Sequence, residues 1–118
     1  MKKKMVLYLF NALITPIPQK DAEALVRIKK INPDIAKQII NTNNGNFVSA
    51  IGHPATAQLL SLLLGVEIPT NRVQVFLQPG DGAIALVLKT RLPEGTVLNS
   101  IDQISQIGYD LYFIQRLS

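Results

Sequence analysis

A single histidine stands where the sequence opens a helix, and it is the chain's leading candidate for acid–base chemistry. The stretch reads Ser49-Ala50-Ile51-Gly52-His53-Pro54-Ala55-Thr56, and a strongly apolar run follows it to Gly65. His53 is the only histidine, and there is no cysteine. An imidazole ordinarily titrates near ~6.5, closer to neutrality than the other common side chains. Proline is favoured in the first turn of a helix, so Pro54 marks a helix start and puts His53 at or beside the N-cap. Unpaired amides and the positive pole of the helix dipole make that end a seat for phosphate.

Other polar side chains fall where strands and helices should end. Asn11 follows a first apolar strand, Thr56 sits at the helix entry, Arg72 begins a run of alternating residues, and Arg91 precedes Glu94 in a Pro-Glu-Gly loop. A hairpin is expected from residues 71–77 and 83–90 across Pro79-Gly80-Asp81-Gly82. Ladder counting then sets positions 72 and 90 roughly opposite, with Arg72 and Arg91 at one end of the hairpin. Two guanidiniums there call for an anion or a carboxylate between them, and a phosphodiester matches their forked geometry. Taken alone, these residues leave blander readings open. His53 can be a cap and nothing more. The arginines can pair with Asp81 or Glu94 at the surface for roughly 0–1 kcal/mol each, and Asn11, Thr56 and Glu94 can be turn or cap residues. Gly80-Asp81-Gly82 lacks the lysine and following helix of a phosphate-binding loop. Neither a Ser-His-Asp order nor a second histidine for a ribonuclease-type pair is present.

The elements that must position these groups suit one domain of 118 residues with a 47% apolar composition. The net charge of +4 favours an anionic partner mildly, because Lys2, Lys3 and Lys4 supply much of the excess. Aromatic residues make up only 6% and form no stacking pattern, which argues against a long nucleic acid as partner. The apolar run after the three lysines is too short for a signal peptide, and that around Leu59–Leu64 is about half the length a membrane span needs. With no cysteine and one histidine the expected protein is cytoplasmic, free of disulfides, metal and cofactor.

Met5–Phe10 reads as a buried strand, Asn11–Lys20 as a proline-bearing loop, and Glu23–Ile31 as a strand at a sheet edge. Asn32-Pro33-Asp34 opens a helix that Asn43-Asn44-Gly45 closes. The helix from Pro54 is apolar on more than one face, so it should be buried against a sheet and also against the first helix or a second subunit. After the expected hairpin, Asn99 or Ser100 caps a short helix that Gly108 stops, and Tyr109–Leu117 is a last strand. The expectation is a single-domain α/β fold: a mixed, roughly five-stranded sheet flanked by helices.

Several of these segments together resemble one family. Leu9-Phe10-Asn11-Ala12-Leu13, Ser49-Ala50-Ile51-Gly52-His53-Pro54-Ala55-Thr56, Asn71-Arg72-Val73 and Thr90-Arg91-Leu92-Pro93-Glu94-Gly95 occur in the order and spacing of the viral anti-CRISPR type ring nucleases, a family of archaeal viruses, phages and bacteria. The resemblance spans nearly the whole chain, and Ile-Gly-His followed by Asn-Arg-Val is its most specific part. It implies a homodimer that binds cyclic tetra-adenylate and cuts it without metal to linear di-adenylate ending in a cyclic phosphate, which would switch off type III CRISPR signalling. On this resemblance His53 matches the catalytic histidine, Arg72 and Arg91 the phosphate-binding arginines, and Glu94 a glutamate of the closing loop. Asn11 matches a pocket asparagine and Thr56 a threonine at the helix entrance. Ile14 and Ala55 stand where a member of the family has serine, and Val87 where it has glutamine. Those departures make a non-cutting module that binds a cyclic nucleotide the main alternative, with a nucleic-acid-binding regulator third.

Overall fold

Two helices and five strands make up the described part of the chain. The structure, a computed structural model, describes residues 5–89 and 106–118. In chain order the elements are β1 (Leu7–Phe10), β2 (Val26–Ile31), α1 (Pro33–Thr42), β3 (Val48–Ser49), α2 (Pro54–Leu64), β4 (Gly82–Leu88) and β5 (Tyr109–Arg116). The five strands make one mixed sheet in the order β2-β5-β4-β1-β3. β1 runs parallel to both β3 and β4, while β5 is antiparallel to β4 and to β2. The expected α/β fold, with helices packed on a mixed sheet, is the fold observed.

Helix ends form where the capping residues stand. Asn32 is the N-cap of α1, its side-chain oxygen accepting from the Ile35 amide at 2.9 Å, with Pro33 in the first turn. At the far end the Gly45 amide donates to the Ile40 carbonyl at 2.8 Å, with Gly45 at φ +74°. α2 begins at Pro54 with His53 as N-cap and stops at Gly65, whose φ of +67° is left-handed.

Strand alternation divides the core. Leu7 and Leu9 of β1, Ile84 and Leu86 of β4 and Leu111 of β5 pack with Ala36 and Ile40 of α1 and Leu59, Leu60, Leu63 and Leu64 of α2. Burying each leucine of α2 contributes about 1.5–3 kcal/mol, which outweighs helix propensity as the reason the helix exists. The first helix thus supplies the second surface that the apolar girth of α2 demands. On the opposite face Phe10, Ala83, Ala85 and Ile114 form a second cluster, filled by Leu77 from the segment before β4.

Residues 71–77 depart from expectation. They form no strand, and β4 pairs with β1 and β5 rather than with them. The continuous apolar run Gly82–Leu88 is the mark of a central strand with two neighbours, so no free edge is left for a hairpin partner. The alternation that suggested a strand comes instead from a segment lying across the sheet face, with Leu77 fully buried beneath it. Its amide donates to Pro16 at 2.7 Å. The turn at Pro79-Gly80 exists, with Gly80 at φ +93°, but it leads from an irregular segment into β4. The two-residue strand β3 lies in the run that leads into α2 and is too short to show a strand period. β2 is an edge strand as expected, though its ladder begins at Val26 rather than Glu23. The expected helix at 99–107 lies largely outside the described residues. Gln106 and Ile107 are helical, and Gly108 follows at φ +78°.

Candidate functional site

Parallel strands deliver their following loops to the same edge of a sheet, and ligands of such sheets sit beyond the strands' carboxyl ends. β1 ends at Phe10, so Asn11 emerges there, exposed. β3 ends at Ser49, one strand over, and its continuation carries Gly52 and His53 into α2. The Ala50 amide donates to the Leu9 carbonyl at 2.9 Å, which ties the approach to His53 directly to the end of β1.

His53 is half-buried, and its side chain makes no capping bond to the backbone amides of α2. Its Nδ1 lies 3.4 Å from Oγ1 of Thr56, with the direction of the bond set by the tautomer. Thr56 itself is only 5% exposed. Its hydroxyl is therefore directed at the imidazole, which leaves Nε2 as the ring nitrogen not engaged by Thr56.

Arg72 reaches the same place from the irregular segment. Its Nε donates to the Gly52 carbonyl oxygen at 2.8 Å, next in sequence to His53. Its aliphatic stem crosses Gly52 so closely that a Cβ on that residue would lie 2.8 Å from Arg72 Cγ. The absence of a side chain is the reason the arginine fits. Arg72 is exposed, and among the described residues no carboxylate pairs with it. Asp81, which the sequence offered as a surface partner, is buried and accepts from the Gln78 amide at 2.8 Å.

The structure thus brings Asn11, His53, Thr56 and Arg72 to the end of β1 and β3, beside the positive pole of α2. Residues 71–77 form no strand, so the hairpin count that sets Arg72 beside Arg91 does not hold. What holds Arg72 near His53 is the contact with Gly52. Arg91, Glu94 and the loop expected to close the site lie outside the described residues. Sequence reasoning gave no role to Gly52, Ser49 or Asn71, though Gly52 stands directly before the histidine. Among the described residues no group of three or more His, Cys, Asp or Glu gathers as a metal site would require. None of the described helices is long and apolar enough to cross a membrane.

Comparison with known proteins adds ancestry to this geometry. A family model described as STIV B116-like matches residues 7–111, and the chain belongs to that family. It is 50% identical over 113 residues to uncharacterized protein ORF117 of Acidianus two-tailed virus, covering 96% of this chain and 95% of that protein. It is 37% identical over 110 residues to uncharacterized protein 26 of Sulfolobus islandicus filamentous virus, covering 93% of this chain and 91% of that protein. Among solved structures, B116 of Sulfolobus turreted icosahedral virus is similar at a TM-score of 0.75 and 28% identity, covering 93% of this chain and 98% of that one.

Proposed function

We propose, with membership of the STIV B116-like family as the premise, that this chain is a metal-independent ring nuclease. It would bind cyclic tetra-adenylate at a homodimer interface and cut it to linear di-adenylate with a 2′,3′-cyclic phosphate. The observation that carries the reading is a half-buried histidine at the N-cap of α2 with an arginine bonded to the residue before it, and among the described residues no carboxylate pairs with that arginine.

An RNA-like phosphodiester brings its own nucleophile. Held in line, the ribose 2′-oxygen attacks phosphorus, the bond from phosphorus to the 5′-oxygen breaks, and the hydroxyl proton passes to solvent. Alignment is the larger part of the task. Arg72 and the first amides of α2 would steady the charge that grows on the phosphoryl oxygens. His53 would give a proton to the departing 5′-oxygen from Nε2, a step worth typically ~10²–10⁴ in rate. Arg91 and Glu94 complete the set that the family resemblance implies.

A ring of four identical nucleotides has twofold symmetry, which matches a twofold dimer with one His53 per half. The surface beside the site supports a second protomer. Leu13 and Ile14 on one segment and Val73 and Phe76 on another are 39–47% exposed, and the Leu77–Pro16 bond joins the two segments. In this reading the activity would remove the signal of type III CRISPR defence. Incubating protein and ring with EDTA, and comparing His53→Ala, tests it. The exposed Ile14, where a member of the family has serine, favours a second reading, in which the pocket holds the ring uncut. Tight binding without product would select it.

A further inference from the structure

We propose that Asn71 is a positioning residue, which holds the Arg72 guanidinium beside His53 and so sets the anion site. The kinetic part of this inference rests on the ring-nuclease reading; the structural part does not.

Residues 69–72 belong to no strand, yet they are pinned along the run from Ser49 to Gly52. The Asn71 amide donates to the Ile51 carbonyl at 2.7 Å, and its side-chain Nδ2 donates to the Ser49 carbonyl at 2.7 Å. In return the Ser49 hydroxyl, on a buried residue, donates to the Pro69 carbonyl at 2.6 Å. Asn71 therefore grips two alternate carbonyls of one extended run, one with its backbone and one with its side chain. A two-point grip removes the rotation that a single bond leaves free. The next residue is Arg72, whose Nε donates to the carbonyl of Gly52, the residue directly after Ile51, at 2.8 Å.

The grip matters because Arg72 cannot hold itself. Its bond to Gly52 is exposed, and an arginine's rotamer freedom offsets the net value of one such bond. Fixing the backbone one residue earlier delivers the stem across the bare Cα of Gly52 and leaves only the guanidinium to settle. The guanidinium is then held at the Gly52 carbonyl, one residue before His53, at little further entropic cost, which is preorganisation of an anion site.

Two readouts on the full chain test the proposal. Without ligand, NMR follows hydrogen exchange at the Arg72 Nε–H in the native protein and in Asn71→Ala. Exchange about tenfold faster in the variant is expected from the loss of one hydrogen bond's worth of restraint. With ring, kcat is measured for Asn71→Ala, Arg72→Ala and the double variant. Asn71→Ala alone is expected to lower kcat about tenfold, and to lower it no further once Arg72 is gone. A merely structural role would give additive losses. Ser49→Ala removes the bond to Pro69 from the opposite side and should move both readouts the same way, which keeps the test available if Asn71→Ala folds poorly. Unchanged Nε–H exchange in both variants, or additive losses in the cycle, overturns the proposal. If the native protein leaves the ring uncut, the nuclease reading falls instead, and the exchange measurement alone decides the grip.

Discussion

Arg72 lies across Gly52, its Nε 2.8 Å from that residue's carbonyl oxygen, and so meets the entry to α2 one residue before His53. Twenty positions separate the two in sequence, and no regular strand joins them. The contact exists because Gly52 has no side chain to block the arginine's stem.

Gly52→Ala should therefore displace Arg72 without unfolding the protein. The new methyl would stand 2.8 Å from Cγ of a flexible side chain, which can swing away. Loss of a bond made by a charged donor corresponds to about 1.5–3 kcal/mol, so ring affinity should fall about tenfold to a hundredfold. Isothermal titration with cyclic tetra-adenylate and a thermal melt on the same samples would separate weakened binding from loss of fold. Unchanged affinity would remove Arg72 from the site.

A second arginine contact is structural. Arg116 is buried, donates to the Leu77 carbonyl, and pairs with Asp21 at 2.8 Å. It joins the loop after β1, the segment before β4 and the end of β5. Asp21→Ala leaves a buried guanidinium without its counter-charge, which costs about 3 kcal/mol. Urea unfolding should show a lower midpoint with an unchanged slope. A midpoint equal to that of the native protein would show that the ion pair contributes nothing.

Tyr8 predicts a pH effect. Burial first, and then the Asp81 carboxylate, push its phenol up from the ordinary value near 10.0. Its pKa is therefore higher folded than unfolded. The stabilisation this provides is fully present below pH ~10 and is lost as pH rises through the folded value. Chemical denaturation between pH 9 and 12 (about that range) should show a declining stability that Tyr8→Phe makes shallower. Identical slopes for the two proteins would contradict the shift.

Much of this was legible in the chain, and the rest was hidden for physical reasons. The helix limits were legible because Asn32, Pro33, Pro54 and Gly65 each make a backbone geometry favourable that few other residues would. β4 was legible as a strand, but its unbroken apolar run also signalled two flanking strands, and the hairpin reading neglected that. Residues 71–77 alternate in sequence, but only Leu77 among them is buried while Val73 and Phe76 are exposed, so the alternation marks no buried strand face. β3 has only two residues and so no periodicity to read. His53 stood out by its type and by Pro54. The place of Arg72 was not legible, because it depends on a bond to Gly52 and on the grip of Asn71, neither of which leaves a local pattern.

The central claim is that His53 protonates the leaving 5′-oxygen of a bound cyclic oligoadenylate. The most direct measurement is product formation from cyclic tetra-adenylate in excess EDTA, followed by chromatography under single-turnover conditions for the native protein and His53→Ala. Linear di-adenylate with a 2′,3′-cyclic phosphate should form with the native protein, and about 10²–10⁴ times more slowly with the variant. An uncut ring with the native protein, or equal rates for the two proteins, would contradict the account.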